Sequence, residues 1–151
     1  MVKRLFCVFA LASIATVPLF AKVVTSAARP GNFLFSANDV LVPLTSGGAT
    51  SLSFSGKGKH AISYSAECET SGSWVSIEII VDGIALSPTA GDNDAFCSDH
   101  NDNNGNDGWT VAHYRVVTGN LALGAHSVQV RATTVGGGTG WLGDSSLVVE
   151  K

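Results

Sequence analysis

The feature that most constrains the fold is the regular alternation of apolar and polar residues in several short segments. The apolar side chains of Ile62, Tyr64, Ala66 and Cys68 are separated by polar ones, and residues 75–81 repeat the pattern. Successive side chains of a β-strand point to opposite faces, so a period of two predicts strands with one buried and one solvated face. The Asp-Gly dipeptide that follows residue 81 predicts a tight hairpin.

Other segments extend this pattern, and no segment has a convincing helical period. Further strands are predicted at Val40–Leu44, Leu52–Phe54, Trp109–Val117, Val128–Val130 and Ser146–Glu150. Seven or more short strands separated by Gly- and Ser-rich turns are typical of an antiparallel β-sandwich, here of jelly-roll type. Residues 22–32 have weak patterning and are expected to form an extended lead-in to a single domain at 33–151.

The first 21 residues have the pattern of a secretory signal peptide. Lys3 and Arg4 precede an apolar run from Leu5 to Phe20, and small residues follow it. Cleavage is expected after Ala21, with a second candidate site after Ala28. We expect a secreted or periplasmic protein with no membrane span after signal removal.

Two cysteines, Cys68 and Cys97, remain after removal of the signal. An even pair in an exported protein predicts a disulfide, and two free buried thiols are the alternative. The bond would close a loop of about 30 residues and contribute about 3–4 kcal/mol by restricting the unfolded chain.

The segment from Gly91 to Trp109 is strongly acidic. It contains five aspartates and five asparagines and no lysine or arginine. Without the signal, the chain has seven basic and 12 acidic side chains, and the aspartates of this segment account for the whole net charge of −5. No basic patch is available to neutralise phosphates, which argues against a nucleic-acid partner.

Calcium is the one cofactor that this segment suggests, because hard cations take carboxylate and amide oxygens as ligands. The candidate metal ligands are Asp92, Asp94, Asp99, Asn101, Asp102 and Asp107. The spacing does not complete the known calcium-loop pattern, since neither Asp99 nor Asp102 is followed by the required glycine and closing glutamate. The alternative is a solvated loop that uses Asp and Asn for their turn geometry.

The C-terminal strands resemble those of C1q/TNF-like jelly-roll domains. Residues 121–130 have the pattern L-x-x-G-x-H-x-V-x-V, and Ser146–Val149 has the pattern S-L-x-V after a glycine-rich turn. The likeness covers about 30 residues, and the acidic segment lies outside it. It implies a binding or structural module that is often trimeric and performs no chemistry.

The sequence leaves three functions open. The first is a non-catalytic module for ligand binding or self-assembly, and the second is a carbohydrate-binding module that stacks Trp109 and Trp141 on sugar rings. Each tryptophan follows a turn at the start of a predicted strand, where the alternative role is to close the core. The third is a small secreted hydrolase that uses the strand carboxylates of Glu67, Glu69 and Glu78.

Calcium binding predicts a change in thermal stability. Millimolar calcium should raise the melting temperature of the exported protein by relieving repulsion among the aspartates, and a chelator should reverse the rise. Differential scanning fluorimetry, with magnesium as the control cation, measures this. An unchanged melting temperature with calcium would contradict the prediction.

Overall fold

The computed structural model describes residues 21–36, 38–72, 74–86, 95–98 and 109–151. In these ranges every regular element is a strand, and no helix is long and apolar enough to cross a membrane. The strands are β1 Val23–Arg29, β2 Phe33–Phe35, β3 Val40–Leu41, β4 Leu52–Gly58, β5 Ala61–Thr70, β6 Trp74–Val81, β7 Ile84–Ala85, β8 Ala95–Ser98, β9 Thr110–Val117, β10 Leu121–Val135 and β11 Gly140–Glu150.

The strands form two antiparallel sheets that pack face to face. The first sheet has the order β1-β11-β5-β9, with β2 also beside β11, and the second has the order β3-β10-β6-β7, with β4 beside β10 and β8 beside β6. β1 and β2 lie on the same side of β11, β3 and β4 lie on the same side of β10, and β7 and β8 lie on the same side of β6. Each of these pairs occupies one strand position, so the described strands fill eight positions in the two sheets. Their order along the chain is 1-8-3-6 in one sheet and 2-7-4-5 in the other, which is the predicted jelly roll.

The core lies between the sheets and follows the alternation in the sequence. Ile62, Tyr64, Ala66 and Cys68 of β5 are at most 2% exposed, and they face Val75, Ile77, Ile79 and Val81 of β6. Burial raises the pKa of Tyr64 to about 12, so its hydroxyl stays neutral in the core. Residues 23–29, expected as an extended lead-in, form β1 and pair with β11.

The predicted disulfide joins the two sheets. Cys68 lies on β5 of the first sheet and Cys97 on β8 of the second, and their Cα atoms are 6.1 Å apart. The bond links residues separated by 29 positions. It therefore fixes the end of β5 that precedes the β5–β6 turn against the opposite sheet.

The outer face of β6 differs from the sequence prediction of a solvated surface. Ser76, Glu78 and Ile80 point away from the core, yet each is at most 8% exposed. The Glu78 carboxylate accepts hydrogen bonds from the guanidinium of Arg131, its partner across the β6–β10 pair, and Arg131 also lies near Asp39. Glu78 is thus engaged in an ion pair on the second sheet, whereas Glu67 and Glu69 are on the first. A hydrolytic site that includes all three carboxylates is excluded by this geometry.

The predicted hairpin at Asp82–Gly83 connects β6 to β7. Both residues have positive φ, 50° and 80°, as a type I′ turn requires. The Asp82 carboxylate accepts the Ser127 N–H at 2.8 Å and lies 2.6 Å from His126 Nδ1, while His126 Nε2 lies 3.0 Å from the Ala122 carbonyl oxygen. Both ring nitrogens therefore face acceptors, an arrangement that only the protonated imidazolium satisfies.

This contact makes stability depend on pH. Its hydrogen bond to Asp82 raises the pKa of His126, and the hydrogen bond from the Ser127 N–H, followed by that from His126, lowers the pKa of Asp82. The stabilisation by His126 is fully present below its unfolded pKa of about 6.5 and is lost as pH rises through the folded value. The stabilisation by Asp82 is present above about pH 4 and is lost as pH falls.

We expect His126→Gln to lower the urea midpoint most at about pH 6 and progressively less as pH increases toward about 9. His113→Gln is the matched control, because His113 lies exposed on the other sheet and contacts Ser65. Urea titrations at several pH values measure both variants. A loss for His126→Gln that stays constant across this range would show that the ring does not act through its charge.

Candidate functional site

The outer face of the first sheet brings the two predicted ligand-binding tryptophans to the same surface. Trp141 of β11 pairs with Glu69 of β5, and the pairing of Cys68 with Thr110 places Trp109 opposite Glu69 by continuation of the register. Adjacent strands are about 4.8 Å apart, so the two tryptophan Cα atoms are separated by about 10 Å with Glu69 between them. Leu34 of β2 pairs with Trp141 on its other side and extends the row.

Gly143 is a buried glycine of β11 over which several side chains of this face converge. A Cβ atom at Gly143 would lie 3.0 Å from Asn32 Oδ1, 3.1 Å from Glu67 Oε2 and 3.2 Å from Trp109 Cζ3. The indole of Trp109 thus extends across β5 to β11, and an amide oxygen and a carboxylate oxygen reach the same point. A glycine lets these three groups converge, because a Cβ atom here would meet all of them at close range. We call Asn32, Glu67, Glu69, Trp109, Trp141 and Gly143 the aromatic face.

The short segment that carries Asn32 is held on both sides. Arg29 donates from its two terminal nitrogens to the carbonyl oxygens of Gly31 at 2.6 Å and Asn32 at 2.7 Å. The Gly31 N–H donates to the Asp144 carboxylate at 2.8 Å. Asp144 itself has a φ of 30° and lies at the irregularity where the register between β11 and β5 shifts. Such bulges bend a strand and redirect its side chains, and this one follows Gly143 directly.

The aromatic face is accessible and carries uncompensated negative charge. Trp109 is 39% exposed, and Trp141, Glu67 and Glu69 are half-buried. The ion pairs in the described part of the chain join Arg115 to Glu150, His126 to Asp82, and Arg131 to Asp39 and Glu78, so none involves Glu67 or Glu69. Two carboxylates beside two indoles form a surface that can accept hydrogen bonds and attract positive charge.

Farther along the same strands the surface changes character. His113 Nδ1 lies 2.7 Å from the Ser65 hydroxyl, and the Arg115 guanidinium pairs with Glu150 at 2.9 Å. The exposed apolar side chains of Val111 and Val117 flank His113 and Arg115 on the same face of β9. The cationic side chain here is therefore already paired with a carboxylate, unlike the acidic groups of the aromatic face.

The candidate metal ligands Asp92, Asp94, Asp99, Asn101, Asp102 and Asp107 lie outside the described residues, so calcium binding stays a prediction. The described residues contain no group of three or more side chains arranged to hold a metal ion. Sequence reasoning did not select Asn32 or Gly143. Only the strand pairing identifies these two residues, because Gly143 is opposite Glu67 only in the observed β11–β5 register.

No protein-family model matches the chain, and a search of curated proteins finds no match. Among solved structures, the chain is similar to the VP2 subviral particle of infectious bursal disease virus, with 11% identity and a TM-score of 0.50. The alignment covers 93% of this chain and 37% of the VP2 chain. The Gx strain of the same virus gives 13% identity and a TM-score of 0.49 over the same shares. The first likeness shows the fold alone, a β-sandwich similar to part of a viral capsid protein.

The convergence over Gly143 predicts a local effect of Gly143→Ala. The added methyl group must displace the indole, the amide or the carboxylate by a few tenths of an ångström, so the emission of Trp109 should change. The substitution is best made in a Trp74→Phe/Trp141→Phe background, where Trp109 is the one tryptophan that remains of the three in the chain.

Gly119→Ala in the same background is the control, because a Cβ there meets no atom within 4 Å. Fluorescence spectra and acrylamide quenching compare the variants. Identical Trp109 emission in Gly143→Ala and its parent would contradict the described packing.

Proposed function

We propose that the protein is a secreted, non-catalytic binding module whose aromatic face takes carbohydrate. The observation that carries the proposal is the placement of Trp109 and Trp141 on one sheet face, with Glu69 at the register position between them. The C–H-bearing face of a sugar ring is apolar and packs on an indole, whose π-face is negative. Two indoles on one face, with Cα atoms about 10 Å apart, would contact successive rings of an extended polysaccharide.

The polar groups of the face suit the edge of a sugar. Hydroxyls arranged around a ring need acceptors at fixed positions, and Asn32 Oδ1 and Glu67 Oε2 converge beside the Trp109 ring. The hydrogen bonds of Arg29 and Asp144 hold the Asn32 segment, and the sheet holds Glu67. Preorganised groups lose less conformational entropy on binding, which favours affinity.

Binding is favoured over hydrolysis by the form of the surface. Glu67 and Glu69 lie on an open sheet face with the exposed Trp109 and the half-buried Trp141, whereas catalytic sites are usually concave and exclude water. Export is supported by the disulfide, since such bonds persist in oxidising compartments. Calcium bound by the acidic segment would add stability to the same module.

Self-assembly is a second candidate, favoured by a specific observation. Leu34, Val111 and Val117 are 60%, 77% and 61% exposed and all lie on the first sheet, so copies of the chain could pack through it. The resemblance to C1q/TNF-like domains implies a module that is often trimeric, and the fold is similar to that of part of a viral capsid protein. Light scattering of the purified protein distinguishes a trimer from a monomer.

The carbohydrate proposal predicts that Trp109→Ala and Trp141→Ala each weaken binding by at least about tenfold, because aromatic anchors dominate such surfaces. Affinity electrophoresis against cellulose, xylan, mannan, chitin and chitosan measures retardation of each variant. Val117→Ala removes an exposed apolar side chain at the far end of β9 and should bind as the wild type does. Failure of the folded wild type to bind any of these polymers, or wild-type binding by Trp109→Ala, would overturn the proposal.

A further inference from the structure

The aromatic face is rich in hydrogen-bond acceptors and negative charge, and these groups favour one class of sugar as the ligand. Glu69 lies at the register position between Trp109 and Trp141, and the Glu67 carboxylate oxygen converges with an amide oxygen over Gly143. All of these oxygens are acceptors, and within the described residues neither carboxylate has a cationic partner. A bound ring that displaces water from this surface must therefore supply donors and compensate the charge.

We infer that the preferred ligand is a cationic amino sugar polymer, such as a chain of glucosamine units with free ammonium groups. This inference rests on the proposed carbohydrate-binding function. An ammonium group has three N–H donors and a full positive charge, so it can satisfy a carboxylate while the attached ring stacks on an indole. The indole faces attract the same charge, which adds to the effect of the carboxylates.

The basic side chains near the face argue against an acidic sugar. Arg29 donates to the carbonyl oxygens of Gly31 and Asn32, and Arg115 is paired with Glu150. A uronate would therefore meet Glu67 and Glu69 without a free guanidinium to receive it. At longer range, the net charge of −5 after signal removal favours approach of a polycation.

The most direct test of the amino-sugar inference compares two ligands that differ in charge but share the same sugar backbone. The glucosamine hexamer and its fully N-acetylated counterpart have the same linkage, and only the first carries ammonium groups. Isothermal titration calorimetry at about pH 6 and low salt should show at least about tenfold tighter binding of the glucosamine hexamer. This preference should shrink as salt screens the charges and as rising pH neutralises the amine.

Matched variants separate charge from stacking. Glu67→Gln and Glu69→Gln should reduce the affinity for the glucosamine hexamer by at least about fivefold and leave that for the N-acetylated hexamer unchanged. Glu150→Gln removes the same charge from the same sheet face but from a carboxylate paired with Arg115, and it should preserve the preference. Trp109→Ala should weaken both ligands.

Each outcome bears on one of the two proposals. Equal binding of the two hexamers, with loss in Trp109→Ala, would overturn the amino-sugar inference and keep the carbohydrate-binding function. Binding of neither hexamer and of no neutral polysaccharide would overturn both. Poly-lysine that binds as tightly as the glucosamine hexamer, with the same losses in Glu67→Gln and Glu69→Gln, would assign the face to cationic peptides and overturn the sugar proposal.

Discussion

The antiparallel pairing of β5 with β11 on one side and β9 on the other determines both the core and the candidate site. Inward, it places Ile62, Tyr64 and Leu147 among the buried side chains that face the second sheet. Outward, it aligns Trp141, Glu69 and Trp109 across three strands. Because side chains alternate between faces, a shift of the register by one residue would bury these groups and expose the core. The disulfide adds a covalent restraint on this strand by tying Cys68 of β5 to β8.

The acidic side chains on the two outer faces of the sandwich have different surroundings. On the second sheet, Glu78 is 5% exposed and is neutralised by Arg131, so that carboxylate contributes to structure. On the first sheet, Glu67 and Glu69 are half-buried beside indoles and have no such partner among the described residues. This is the surface on which we propose that a ligand binds.

The sequence predicted the sandwich because the alternation on β5 and β6 is a local signal that tertiary packing preserves. It also predicted the hairpin at Asp82–Gly83 and the Cys68–Cys97 bond, which depend on turn geometry and on cysteine number. It did not predict the buried outer side of β6, because Ser76 and Glu78 are polar and their burial depends on neighbours such as Arg131. Asn32 and Gly143 were missed for a similar reason, because Gly143 meets Glu67 only through the pairing of β5 with β11, two strands that are far apart in the sequence. The candidate calcium ligands from Asp92 to Asp107 lie outside the described residues and stay a prediction.

The central claim is that ligand binds on the aromatic face, and the indole N–H resonances test it most directly. The three tryptophans give three such signals, and Trp74 serves as an internal reference because its indole nitrogen is buried. In a ¹⁵N-labelled protein titrated with the oligosaccharide it binds, the account predicts that the Trp109 and Trp141 signals shift together to saturation while the Trp74 signal stays in place. Saturable binding that leaves the Trp109 and Trp141 signals unmoved would contradict it.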